Sequence, residues 1–393
     1  MGSIEDLVAP QIKSMKFTDI WSISLSIANY ADSVYLSAGE PDFDTPPNIV
    51  KAGEDALKSG KTHYVDPSGL PELREEISKK LKHENSIDVK PDEIIVTVGG
   101  QEALYNVFQT FVRPGDKVLL ITPTYPLYLD AAQITGAIAK QVPLTEQDHS
   151  FSLDIEKVKQ RIKGARVIII NNPSNPTGYV MDQSEIRALV EVAKDEGVLI
   201  VSDEIYEKMN YSGKKLISPA SIAPENTITI NGFSKAFAMT GWRIGYMAAP
   251  REVIEPLKIV HHTNVICANS VSQYAALEAL RGPKDSLRAM VEEYRQRMEL
   301  LYGGLAKLPG INVVRPDGAI YVFPDFSDYE KDDKAFALRL ARSTHVATVP
   351  GSGFGMGGEG HLRLTFASSR RSITDAVTRI SDYLTSAESK IPE

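Results

Sequence analysis

Short apolar runs alternate with helix-patterned stretches through the middle of this chain. Residues 94–98 (Ile-Ile-Val-Thr-Val) read as a strand, followed by Gly99-Gly100 and a helical period over 101–111. Residues 117–121, 166–170, 198–202 and 227–230 are further apolar runs of strand length, and 183–196 again carries a helical period. Runs so uniformly apolar are buried on both faces, and parallel strands buried that way need helical crossovers. The pattern predicts an α/β domain with a mostly parallel sheet flanked by helices. The last third differs. It reads as a long charged helix over 285–306, short strands at 311–314 and 320–323, and helices over 334–343 and 372–386, a smaller α+β unit. The expected division is 1–47 as an N-terminal arm joining the small domain, 48–285 as the large domain and 286–393 as the small C-terminal domain.

Composition narrows the functional classes. With 393 residues there is room for one large core and a second, smaller one. Lys plus Arg number 43 against 51 Asp plus Glu, a formal net charge of -8, which argues against a nucleic-acid binder. The single cysteine, Cys267, excludes a disulfide framework and a thiolate metal cluster, and is expected to be a small buried apolar group. No metal site is expected. The first turns carry Glu5, Asp6, Lys13, Lys16 and Asp19, and no run of about 18 apolar residues occurs, so the expectation is a cytoplasmic protein without membrane contact.

In open parallel sheets ligands bind beyond the carboxyl ends of the strands, and the polar residues of this sequence collect there. Residues 94–98 run into Gly99-Gly100-Gln101, a helix start whose free N–H groups suit an anion; Gly-Gly before a helix also serves as a plain turn. Residues 117–121 lead to Tyr125, placed either to stack on a planar ring or to fill the core. Residues 166–170 lead to Asn171-Asn172-Pro173-Ser174-Asn175-Pro176-Thr177-Gly178, a rigid turn that would hold the Asn175 amide at a fixed angle. Residues 198–202 end at Asp203. A carboxylate at so apolar a strand end needs a partner: a pyridinium nitrogen, an arginine or a helix end to cap.

Residues 227–230 precede Ser234-Lys235-Ala236-Phe237-Ala238-Met239-Thr240-Gly241-Trp242-Arg243-Ile244-Gly245, with Lys235 and Arg243 eight positions apart. A lysine desolvated beside another cation is a nucleophile toward carbonyls, and an arginine fork suits a phosphate. Pyridoxal 5'-phosphate, an aldehyde and a phosphate on one ring, fits the pair; solvated charge is the alternative for the spacing alone. The string itself resembles the Schiff-base signature of the class I and II pyridoxal-phosphate-dependent aminotransferases (PLP fold type I). Ala38-Gly39-Glu40-Pro41-Asp42-Phe43, Tyr64 with Gly69-Leu70-Pro71-Glu72-Leu73-Arg74, the Asn172 to Gly178 turn and Ser202-Asp203-Glu204-Ile205-Tyr206 follow in that family's order. The pattern is most similar to that of prokaryotic aspartate and aromatic aminotransferases.

The resemblance implies a seven-stranded type of sheet, a pyridoxal phosphate cofactor and a catalytic set of Lys235, Asp203 and Tyr206. Lys235 would bond the cofactor aldehyde, Asp203 pair with the ring nitrogen, and Tyr125 stack on the ring. Asn175 and Tyr206 would bond the phenolic oxygen, while Gly100, Gln101, Ser234 and Arg243 hold the phosphate. Tyr64 resembles the tyrosine that reaches the phosphate of the neighbouring subunit, which implies a homodimer; Gly232 stands where some relatives carry a phosphate-binding serine. His361-Leu362-Arg363-Leu364-Thr365-Phe366 resembles the family's C-terminal motif, so Arg363, helped by Asn175 and the Gly39 backbone, would take the substrate α-carboxylate; a strand-end salt bridge is the alternative. Glycine-rich 351–360 lacks a P-loop ending and reads as a mobile loop. The implied reaction is ping-pong transfer of an amino group from an L-amino acid, aspartate or an aromatic one, to a 2-oxo acid such as 2-oxoglutarate. A β-lyase or an aminocyclopropane-carboxylate synthase on the same fold is the competing chemistry. An effector-binding half of a transcription regulator is disfavoured, because family motifs beginning by Leu36 leave no room for a DNA-binding module. Phe17, Trp21, His261, His262, Asn264 and Asn269 lie in segments that line the substrate end in similar proteins.

Overall fold

Seven strands form one sheet in a computed structural model that describes residues 4–15 and 19–386. They are β1 (Ile94–Thr97), β2 (Lys117–Thr122), β3 (Ile138–Pro143), β4 (Ala165–Asn171), β5 (Leu199–Asp203), β6 (Thr227–Gly232) and β7 (Gly245–Ala248). Their order across the sheet is β1-β7-β6-β5-β4-β2-β3. β7 runs antiparallel to both neighbours; the other adjacent pairs are parallel. All strands except β7 therefore point their carboxyl ends at the same edge.

Both faces of each central strand are apolar, and both are covered. Leu119, Ile121, Ile168, Ile170 and Ile200 pack with Ile186, Leu189 and Val190 of helix Gln183–Asp195 on one side. The alternate residues Val118, Leu120, Val167, Ile169 and Val201 pack with Leu104, Val107 and Phe108 of helix Gly99–Phe111 and with Ile254 and Leu257 of helix Arg251–Val265 on the other. The period of two along each strand makes this sandwich unavoidable. A separate core gathers helices Asp285–Leu305, Asp333–Thr344 and Arg370–Thr385 around Tyr321, Leu362, Leu364 and Phe366. Ile23, Ile27, Val34 and Leu36 join that core, and Val34–Tyr35 pairs in parallel with Val346–Ala347.

Three expectations need correction. Residues 311–314 form no strand; Asn312 makes only an isolated bridge to Asp325, and Pro316 shortly after has no N–H to extend one. Cys267 is half-buried and not a core residue. Strands β3 and β7 were not expected from the pattern. Among the described residues, no helix is long and apolar enough to cross a membrane.

Candidate active site

The carboxyl ends of β1, β2, β4, β5 and β6 open onto one crevice, facing the core that contains Tyr321 and Arg363. Lys235 lies in the connection from β6 to β7. Its Nζ donates to the Gly39 carbonyl and stands 5.7 Å from the centre of the Tyr206 ring. Burial, reinforced by the Arg363 and Arg243 guanidinium groups, pulls the ammonium down to about 8, although Glu40 and Asp203 oppose the shift. A lysine tuned this way is half-neutral near pH 8.

Asp203 is the last residue of β5. It accepts the Tyr128 hydroxyl at 2.5 Å and the Ile205 N–H at 3.1 Å. Burial raises its carboxyl above the usual range despite these donors and the nearby Lys235. Among the described residues no arginine or lysine pairs with it, so one of its expected partners, an arginine, is ruled out. Tyr128, which sequence reading missed, sits one helical turn after Tyr125. The two rings meet edge-on at 5.5 Å and 85°. Burial, with Tyr321 and Asp203 adding to it, pushes the Tyr125 hydroxyl up to about 12.

The substrate end is built on β4 and on strand Leu362–Thr365. Asn175 is buried in the turn after β4, its N–H bonded to the Asn171 side chain at 2.8 Å. Arg363, only 3% exposed, donates from Nη1 to Asn175 Oδ1 at 3.1 Å and from Nη2 to the Ser37 carbonyl at 2.8 Å. Its Nε is buried without a partner. No carboxylate meets it among the described residues, so the strand-end salt bridge is not what holds it. The 351–360 stretch is a packed turn and not a free loop: Phe354 is buried, its ring 5.2 Å from the Arg363 guanidinium, its carbonyl accepting the Thr124 N–H at 2.8 Å.

The opposite end is cationic. Gly100 and Gln101 lie in the first turn of helix Gly99–Phe111, where N–H groups lack intrahelical acceptors. Gly99 has φ +74°, and a Cβ there would come within 2.8 Å of Arg243 Nη2. Glycine thus lets the guanidinium lie against the helix start. Arg243, itself at φ +54°, is steadied by Nη1 donating to the Thr240 carbonyl at 3.0 Å. Ser234 is buried beside Lys235 in sequence. At Gly232 a Cβ would meet the Gly245 Cα at 3.0 Å, so a serine there would require β7 to give by a few tenths of an ångström. Tyr64 is the outlier among the expected residues, 79% exposed.

The residues of the segments that line the substrate end in similar proteins have the following surroundings within this chain. His261 is fully buried, with Nδ1 3.0 Å from Glu102 and Nε2 2.8 Å from the Pro67 carbonyl. Asn269 caps helix Ser270–Arg281 by accepting the Ser272 N–H. His262 and Asn264 are exposed. Phe17 and the Trp21 side chain lie outside the described residues. Glu204, also missed, lies just past the end of β5, bonded on the face that carries Ser202, opposite the Asp203 side chain. It accepts Ser202 Oγ at 2.8 Å, Ser218 Oγ at 2.5 Å and Asn85 Nδ2 at 3.2 Å. These bonds tie the Asp203–Tyr206 turn to helix Pro71–Asn85. Burial raises the Glu204 carboxyl to about 7, Glu207 adding to the shift.

This donor set fits pyridoxal phosphate. An under-partnered buried carboxylate suits a protonated ring nitrogen, a softened amine suits an aldehyde, and a helix start with an arginine beside it suits a phosphate. Comparison with known proteins agrees. The family profile for aminotransferase class I and II matches residues 31–380. A probable aspartate/prephenate aminotransferase of Thermus aquaticus is 42% identical over 357 residues, 90% of this chain and 92% of the relative. The structure of aspartate aminotransferase from Thermus thermophilus with maleate superposes with a TM-score of 0.90 at 38% identity, covering 97% of this chain and 100% of that one. That of the aromatic aminotransferase from Pyrococcus horikoshii gives 0.87 at 36%, covering 92% and 98%. The chain belongs to the class I and II aminotransferases and is a pyridoxal-phosphate-dependent transaminase.

Proposed function

We propose that this transaminase moves the amino group of L-aspartate to a 2-oxo acid such as 2-oxoglutarate in two half-reactions, as a homodimer in the cytoplasm. The observation that carries the reading is the meeting of Lys235, Asp203 and the Asn175–Arg363 pair at one crevice. Aspartate is favoured because it is the donor in the names of the Thermus relatives, and an aromatic donor is the second reading because the Pyrococcus horikoshii protein is named for one.

Pyridoxal phosphate, when bound, supplies an electrophilic carbon for the amino group and a ring that accepts electron density from the substrate. Asp203 would hold a proton on the ring nitrogen, and Tyr125 would pack against the ring. Tyr206 and Asn175 would steady the phenolic oxygen, while Ser234, Arg243 and the N–H groups of Gly100 and Gln101 would hold the phosphate. Arg363 takes the α-carboxylate as a two-pronged pair, with Asn175 and the Gly39 backbone fixing its angle. Held that way, the substrate would present its Cα–H on the side of the crevice that carries the Lys235 amine, whose charge Arg363 already perturbs. An amine tuned to about 8 is neutral often enough to accept the Cα proton and still acidic enough to return it.

Arg363→Gln removes two charge-assisted hydrogen bonds worth about 1.5 kcal/mol each, so kcat/KM for aspartate should fall roughly 100-fold. Steady-state kinetics checks this; a loss below about threefold would remove Arg363 from substrate binding. The homodimer is supported by the exposure of Tyr64 and of Ile259, which is 69% exposed. Ile259 lines a recess of about 750 Å³ with Pro67, Glu255, Pro256 and His262. Sedimentation equilibrium should return twice the chain mass, and a monomer would refute a shared site.

A further inference from the structure

Between the carboxylate-binding arginine and the cofactor-side tyrosine stands a third residue, Tyr321. It lies on strand Tyr321–Val322, paired antiparallel with Leu362–Thr365, opposite Thr365. Only 1% of it is exposed. Its hydroxyl is 2.8 Å from the Tyr206 hydroxyl, and the two rings meet edge-on at 5.9 Å. Its ring face carries the Arg363 guanidinium at 4.3 Å, closer than the 5.2 Å of Phe354. Gly39 is shaped around the same hydroxyl: a Cβ there would come within 3.1 Å of it.

The hydrogen-bond inventory gives this contact a direction. A tyrosine hydroxyl has one proton. When Tyr206 donates that proton to the phenolic oxygen of the cofactor, the Tyr206 oxygen is left to accept, and Tyr321 is the donor placed to serve it. A donor behind a donor polarises both bonds. The ring of the same residue holds the guanidinium whose Nε is otherwise buried without a partner.

We propose that Tyr321 is a positioning residue for both ends of the crevice: its hydroxyl commits Tyr206 to donate toward the cofactor, and its ring holds Arg363 in place for the substrate carboxylate. This rests on the function proposed above. The charged and titratable groups that face the Tyr206–Tyr321 pair are Arg363, Tyr125 and Lys235, and the two substitutions below leave all three unchanged.

The test uses cofactor-loaded protein without substrate, in wild-type, Tyr321→Phe and Tyr321→Leu forms. The pH midpoint of the absorbance change of the lysine-bound cofactor is read first, then the dissociation constant for maleate. Without the second donor the phenolic oxygen holds protons more tightly, so Tyr321→Phe should raise the midpoint by about half a pH unit. Its ring remains, so maleate should bind within about twofold of wild type. Tyr321→Leu should raise the midpoint similarly and weaken maleate roughly tenfold, the loss of a desolvated cation–π contact. A wild-type midpoint in Tyr321→Phe overturns the role of the hydroxyl, and wild-type maleate affinity in Tyr321→Leu overturns that of the ring. Tyr321→Phe keeps the packing, so its midpoint decides even if the leucine variant does not fold. Failure of the underlying function shows differently, as wild-type protein that takes up no cofactor, and removes this inference with it.

Discussion

Lys235→Ala should lower kcat by more than about 10⁴-fold while leaving the fold intact, because the proposed mechanism gives one amine the parts of both cofactor anchor and proton carrier. The remaining site still holds its phosphate groove, Asp203 and Arg363, so cofactor and substrate should both still bind. The wild-type stability profile supplies an internal check. The Lys235 ammonium titrates near 8 in the folded protein, below its ordinary 10.5. Between those values the unfolded chain binds the extra proton at this site, so the contribution of Lys235 to the stability of the cofactor-free protein rises with pH from about 8 to 10.5. Below that window the folded state bears the cost of a buried ammonium. Lys235→Ala should flatten the rise and raise the melting temperature at neutral pH. Near-normal transamination by this variant would remove Lys235 from the chemistry; a lowered melting temperature would show that it serves the fold instead.

Asp203→Asn should cost on the order of 10³-fold in kcat, comparable to losing a preorganised group at a developing charge. A neutral amide still fits against Tyr128 and the Ile205 N–H but cannot keep the ring nitrogen protonated. Stability should move the other way. The folded carboxyl titrates above its ordinary 3.8, so the folded state binds the extra proton, and stability falls as pH rises above that value. Asparagine removes this fall. Differential scanning calorimetry of the cofactor-free proteins at pH 3.5, below the ordinary carboxyl range, and at pH 8 should therefore show Asp203→Asn gaining most at pH 8. A variant that melts lower than wild type at both pH values, with unchanged kcat, would make Asp203 a structural residue held by Tyr128.

The ends of β1, β2, β4, β5 and β6 were legible because each uniformly apolar run stops at a polar residue or glycine pair. Strand β3 escaped because Lys140 and Gln141 break its apolar run at the sheet edge, and β7 because its four residues continue the lysine string without a turn signal. Tyr128 carried a usable cue, its spacing of three from Tyr125 just past a strand end. Tyr321 carried none; its partner Tyr206 is 115 positions away, and only the fold brings them together. His261 was misjudged for a readable reason. Ile254, Leu257 and His261 recur at helical spacing, and that stripe is the buried face of helix Arg251–Val265. A histidine on such a face is a core residue with satisfied nitrogens.

The central claim is that this crevice moves an amino group through a lysine-bound cofactor. The visible absorption spectrum of the purified protein, recorded before and after L-aspartate and again after 2-oxoglutarate, tests it most directly. The account predicts a band from the lysine-bound cofactor that gives way to the amine form with aspartate and returns with the oxo acid. A protein with no such band after pyridoxal phosphate is supplied, or a band that persists while pyruvate and ammonia accumulate, would contradict it.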